Sequence, residues 1–127
     1  MPPVVRLQLL GGSYAIARLP SVDPIPAWAD GEGFVSISRT DDELSTVCLQ
    51  ARIPSAILKD EAWSCFKLVG PFAFDATGIV LSVIEPLSTN DLGIFVVSTF
   101  DGDHLMVKAA DLANASRLLA DAGHVLI

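Results

Sequence analysis

Gly33-Phe34-Val35-Ser36-Ile37-Ser38-Arg39-Thr40-Asp41-Asp42-Glu43 lies over Gly93-Ile94-Phe95-Val96-Val97-Ser98-Thr99-Phe100-Asp101-Gly102-Asp103 without a gap, sixty residues apart. In each stretch a glycine opens an apolar run, and a serine, an acidic turn and a second apolar run follow. Leu9-Leu10-Gly11-Gly12 roughly shadows Val69-Gly70-Pro71-Phe72 at the same step. A repeat of this period implies two related units, each too small to bury a core alone. Two units are a tandem pair and not a solenoid. The seam of such a pair is a common place for a small ligand. The expected units are residues 1–61 and 62–127.

Outward from the repeat, Trp63 to Val69 reads as a strand that Gly70-Pro71 ends. Asp75-Ala76-Thr77-Gly78 is a helix start, with Asp75 or Thr77 as cap. Ile79, Val80, Val83, Ile84 and Leu87 recur at helical spacing. Pro86 interrupts that helix, because its ring removes the bond to the Ser82 carbonyl. Gly93 is read as a left-handed stop. Ile94 to Thr99 and His104 to Lys108 are strands around Asp101-Gly102, a two-residue hairpin signal. Asp111 caps a last helix with Leu112, Ala115, Leu118, Leu119 and Ala122 on one face. Gly123 ends it, and His124 to Ile127 is a short final strand. The order is β-α-β-β-α-β, an antiparallel sheet with two helices on one face, the ferredoxin-like arrangement.

The first half keeps the strands and loses the helices. Val4 to Leu10, Tyr14 to Leu19, Phe34 to Arg39 and Leu44 to Leu49 are strand candidates. Pro20, Pro24 and Pro26 forbid a long helix between the second and third. Pro26 to Asp30 allows one helical turn that places Trp28 in the core. Pro54 to Asp60 is a short helix or loop. The fold class is therefore α+β, two tandem ferredoxin-like units with the first degenerate.

Composition narrows function. Of 127 residues 51% are hydrophobic, enough for a substantial core, and disorder is excluded. Eight basic against fifteen acidic residues give a net charge of −7, with no basic cluster. Such a chain repels phosphate backbones and anionic lipid, so neither nucleic acid nor a membrane is the expected partner. Cys48 and Cys65 lie inside apolar runs and read as buried free thiols. No leader pattern and no long apolar span appear, so the expected location is cytoplasmic. No nucleophile elbow, phosphate loop or Cys/His pair suggests catalysis or a cofactor. Asp101, Asp103 and His104 on one tight turn lack the convergence a metal needs.

Val69-Gly70-Pro71, Thr77-Gly78-Ile79-Val80 and Asp91-Leu92-Gly93-Ile94 resemble the first strand, first helix and entry to the second strand of an ACT domain. That module binds amino acids in allosteric enzymes of amino-acid metabolism. Ser36 to Leu44 and Ser98 to Leu105 carry a narrower likeness to short bacterial proteins of two ACT repeats, themselves similar to a cytosolic arginine sensor of animals. The resemblance implies a non-enzymatic regulatory protein that senses an amino acid, and it allows a homodimer through ACT–ACT packing. It places the effector between the loop before the first helix and the second strand. The ligand-binding set is then Phe74, Asp75, Thr77, Gly78, Ser98, Thr99, Phe100, Asp101 and Asp103, with Arg39 reaching across the seam. A helix start accepts a carboxylate, Gly78 permits close approach, and the acids suit an ammonium or guanidinium. By resemblance, Asp103 is the first choice for the cationic end.

Plainer readings stand beside each residue. Asp75 and Thr77 serve equally as helix caps, Asp101 as a turn residue and Asp103 as a solvated strand end. Arg39 beside Asp41 and Asp42 suits a surface ion pair worth little. The alternative function is a protein-interaction module that binds no metabolite, with Phe34, Phe72 or Phe95 in its patch.

Overall fold

Short strands of β-branched and aromatic residues, punctuated by Gly and Pro, dominate this chain, and helices form only where apolar residues recur every three or four positions. The computed structural model describes residues 3–70, 72 and 76–127. In chain order the elements are β1 (Arg6–Leu9), β2 (Tyr14–Leu19), β3 (Ser36–Arg39), β4 (Leu44–Leu49), β5 (Lys59–Val69), α1 (Ile79–Ser88), β6 (Ile94–Ser98), β7 (Asp103–Lys108), α2 (Leu112–Asp121) and β8 (Val125–Leu126). Single 3₁₀ turns occur at Ala27–Ala29, Gln50–Arg52 and Ala109–Asp111. The chain divides into two compact units: Gly11–Trp63, and Ser64–Ile127 together with the segment that ends at Leu10.

The larger unit is α+β. Its strands run in the order β6-β7-β5-β1-β8. β1 is antiparallel to β5, with Arg6 opposite Val69 and Gln8 opposite Lys67. β8 is parallel to β1. The sheet is therefore mixed, a correction to the antiparallel sheet expected from the sequence. The cause is β1, which enters between β5 and β8 although it comes from far upstream. Val5 and Leu7, Phe66 and Leu68, and Leu105 and Val107 alternate onto one face. Val83 and Leu87 of α1 and Ala115 and Leu119 of α2 close the core against that face. The opposite face carries Arg6, Gln8 and Lys67, all exposed, and half-buried Val69 and His104.

Both helices end in the same way. After α1, Asp91 turns left-handed at φ 63°, its N–H bonds Ser88 O at 3.2 Å, and Leu92 N–H bonds Leu87 O at 3.1 Å. After α2, Gly123 takes φ 96°, its N–H bonds Ala120 O at 2.9 Å, and His124 N–H bonds Leu119 O at 3.1 Å. These are paired Schellman closures. The left-handed stop of α1 is thus Asp91 and not the expected Gly93, because the helix ends two residues earlier than the glycine required. Pro86 sits inside α1 and leaves the Ser82 carbonyl without its intrahelical donor. The His124 ring fills that vacancy: Nε2 lies 2.7 Å from Ser82 O, and Nδ1 accepts the Val5 N–H at 3.0 Å. Since Val5 N–H can only donate, Nδ1 is the acceptor and Nε2 carries the hydrogen.

The smaller unit holds β3, β4 and β2 in that order, with residues 59–63 of β5 beside β2. No α-helix occurs among its described residues. β5 begins at Lys59, where a short helix or loop was expected; Ala62 at φ 63° and a register shift between Tyr14 and Ile16 mark the irregularity that hid it. Trp28 packs against a small core of Ala15, Ala17, Cys48 and Ile53, as the prolines around it suggested. Arg52 ties the same loop down with bonds to Trp28 O at 3.1 Å and Glu32 O at 2.8 Å. Cys48 and Cys65 are buried and free, and burial pushes the Cys65 thiol up to about 12.

The two hairpins of the repeat correspond with a step one residue shorter than the sequence overlay. Thr40 N–H bonds Glu43 O at 2.9 Å, and Thr99 N–H bonds Gly102 O at 2.6 Å. Arg39 pairs with Leu44 as Ser98 pairs with Asp103. Thr40 therefore answers to Thr99, and Arg39 to Ser98. A slip of one residue exchanges the two faces of a strand, so Asp103 has Leu44, not Glu43, as its structural counterpart.

Candidate functional site at the β6–β7 loop

The loop between β6 and β7 is four residues long, Thr99 to Gly102, with Ser98 and Asp103 as the last strand pair. The expected two-residue Asp-Gly hairpin is thereby corrected. Thr99 stitches the loop shut with its hydroxyl, which donates to Gly102 O at 2.8 Å. Gly70, at the end of β5, lies under the loop. A side chain there would meet Phe72 N at 2.9 Å and Asp101 O at 3.2 Å, so glycine is what lets the strand pass so close.

A cavity of about 360 Å³ opens on the helix side of this loop. Gly78, Ile79 and Val80 form one wall, and Ser98, Phe100 and Asp103 are part of the other. Gly78 holds φ 79° at the N-cap of α1, just before its first residue Ile79, and no side chain caps the helix. The first intrahelical bond is Ser82 N–H to Gly78 O, 3.0 Å. The N–H groups of Ile79, Val80 and Leu81 therefore lack helical partners and carry the positive end of the helix dipole. Opposite them, the Ser98 hydroxyl donates to an Asp103 carboxylate oxygen. Hydrogen-bond donors for an anion and an acceptor for a cation thus face one hollow.

Of the residues named from the sequence, Gly78, Ser98, Thr99, Phe100, Asp101 and Asp103 come together around this cavity. Thr77 is exposed, is not among the residues that line the cavity, and does not cap α1, whose cap position is the left-handed Gly78. Phe74 and Asp75 lie outside the described residues. Among the described residues Arg39 does not make the expected ion pair with Asp41 or Asp42. Its guanidinium donates to the carbonyls of Ser21 and Asp23, the latter at 2.8 Å, and holds its own loop.

A second cavity, of about 510 Å³, lies at the same loop and draws on Lys67, Val69 and His104 of the helix-free face. The sequence reading passed over Lys67. Its signal was the alternation Phe66-Lys67-Leu68, which aims a lone cation away from the helices. His104 is held below its ordinary value of 6.5, first by burial and then by the Lys67 ammonium, with Asp103 pulling the other way. Among the described residues no group of three or more His, Cys, Asp or Glu is placed to hold a metal ion. No described helix is long and apolar enough to cross a membrane.

A mixed sheet with two helices on one face, and a hollow between the first helix and a strand loop, is the architecture of an ACT domain. Residues 59–121 belong to that family, since the ACT domain family model matches them. A second family model, described as an N-terminal domain, matches residues 12–56. The chain is 32% identical over 94 residues to the cytosolic arginine sensor for mTORC1 subunit 1 of Mus musculus, a match that takes in 70% of this chain and 27% of the relative. It thus spans about a quarter of the length of the curated relatives it matches. A crystal structure from Agobacterium tumefaciens is 66% identical, covers 98% of this chain and 93% of that one, and has a TM-score of 0.95. The aspartokinase alpha and beta subunits share the fold, with 14% identity, a TM-score of 0.66, and coverage of 94% of this chain and 98% of that one.

Proposed function

We propose that this chain is a non-catalytic regulatory protein that binds an amino acid in the helix-side cavity at the β6–β7 loop. The observation that carries the reading is a single hollow in which unpartnered helix-start N–H groups face the Asp103 carboxylate. A free amino acid brings a carboxylate to the first and a cation to the second. The likeness to a protein named as an arginine sensor supports a cationic amino acid. Residues 11–63 act in this reading as a second, helix-poor ACT-like unit, and the matched turns at Thr40 and Thr99 support that kinship. Ligand binding favours one packing of ACT units, within the chain or in a homodimer, by its differential affinity for the two states. The test is a thermal-shift screen against the twenty amino acids at millimolar concentration. A ligand at a hundred times its dissociation constant adds about 2.7 kcal/mol. A rise confined to one or two amino acids is the expected outcome; no rise with any of them sinks the reading.

The rival reading, a surface that docks a protein partner without a metabolite, draws on Phe100, 79% exposed, and Leu81, 58% exposed, at the rim of the same cavity. Thermal silence towards all twenty amino acids, together with loss of a captured partner on Phe100→Ser, would favour it.

A further inference from the structure

The β6–β7 loop separates two hollows with different walls. The helix-side hollow has been described; the larger one lies against the other face of the sheet and is lined by Lys67, Val69 and His104. At about 510 Å³ it falls within the size range of small-molecule sites. Its charges are laid out from one end to the other. Lys67 stands at the strand end, exposed, with no hydrogen bond or ion pair among the described residues. At the loop end stands Asp101, which borders both hollows. Side chains of β5 alternate, so Lys67 cannot serve the helix-side cavity: its neighbours Phe66 and Leu68 occupy that face.

We propose that this hollow is a second amino-acid site, in which the Lys67 ammonium holds the carboxylate of a zwitterion and Asp101 holds its cationic end. A phosphate is a poor fit. It would bring a double negative charge to one lining ammonium and an acidic loop, in a chain whose net charge is −7. A zwitterion matches both ends and leaves no charge uncompensated. The His104 ring forms part of the wall between them. Because Lys67 lowers the proton affinity of His104, a carboxylate placed on Lys67 registers at that ring. The two hollows share Thr99, Asp101, Gly102 and Asp103, but Lys67 and His104 border only this one, and Gly78 to Val80 only the other. This site is independent of the helix-side reading, and the two fail separately.

The experiment is a titration of the whole chain with each of the twenty amino acids, L-arginine first, followed by backbone-amide and histidine-ring NMR. Wild-type protein is expected to show two sets of shifts, one at Gly78 to Val80 and one at the His104 ring with the Lys67 to Val69 amides. Lys67→Met, an exposed substitution that keeps the spectrum dispersed, weakens the second set by about tenfold or more and leaves the first. The carboxamide form of the same amino acid weakens both sets, because each site seats the carboxylate, so Lys67→Met is the variant that separates them. A titration that moves only the helix-start set, or a Lys67→Met chain that keeps the His104 set, overturns this site and spares the other. A His104 set alone removes the helix-side site and keeps this one. No shift with any of the twenty removes both.

Discussion

At the residue scale, Asp103 and His104 stand next to each other and serve opposite faces. Asp103 points to the helix side, where the Ser98 hydroxyl steadies it. Asp103→Ala should weaken amino-acid binding by roughly thirtyfold or more, the loss of a charged hydrogen bond. The fold should change by less than about 1 kcal/mol, since the group is only half-buried. Calorimetric titration beside a urea melt checks both; unchanged affinity removes Asp103 from the site. His104 faces the other way and is half-buried, with its proton affinity held below the ordinary 6.5 mainly by burial. In the unfolded chain it takes up a proton near that value while the folded chain resists, so the unfolded state binds more protons. Stability is then full above about pH 6.5 and declines as the pH falls below it. Urea melts from pH 7.5 to 5.5 should show this decline, and His104→Gln should flatten it. An equal slope in the variant would assign the decline to other groups.

At the scale of elements, helical spacing and strand alternation were legible in the sequence, and the details of caps and turns were not. Gly123 was readable as a stop because glycine takes a left-handed φ freely. Asp91 was not, because its left-handed φ is imposed by where Leu92 must dock against the core. The loop of four residues at Thr99 was hidden by an Asp-Gly pair that alone suggests a tighter turn. The His124 ring joins three elements: it bonds the residue before β1, precedes β8 and replaces the donor that Pro86 denies α1. His124→Ala strands Val5 N–H and Ser82 O and should cost about 2–4 kcal/mol. Pro86→Ala supplies an N–H to Ser82 O, so the cost of His124→Ala should fall by about 1 kcal/mol in that background. A double-mutant cycle by denaturant unfolding measures the coupling; strict additivity would show that Ser82 O does not depend on His124.

At the scale of the molecule, the strand before Gly11 matters out of proportion to its length. β1 separates β5 from β8, and Leu7 within it and Val5 just before it, 0% and 1% exposed, are buried beneath both helices. Each of those side chains contributes about 1.5–3 kcal/mol, against a net stability of about 5–15 kcal/mol for a domain. A chain that begins at Ser13 should therefore lose its cooperative thermal transition by circular dichroism, although it keeps both helices and the whole β6–β7 loop. A sharp transition near the wild-type temperature would show that β5 and β8 can close without β1.

The sequence by itself determined the element types, the helix faces, the acidic character and the loop where the candidate ligand groups gather. Those follow from period, composition and local turn chemistry, which act over a few residues. Only the tertiary structure decided that β1 joins the later strands, that the repeat steps by one residue less, that Arg39 is spent on its own loop and that Lys67 borders a hollow. Each depends on which distant strand pairs with which, and in what register. A strand's hydrogen-bonding edges carry no record in sequence of the partner they will meet.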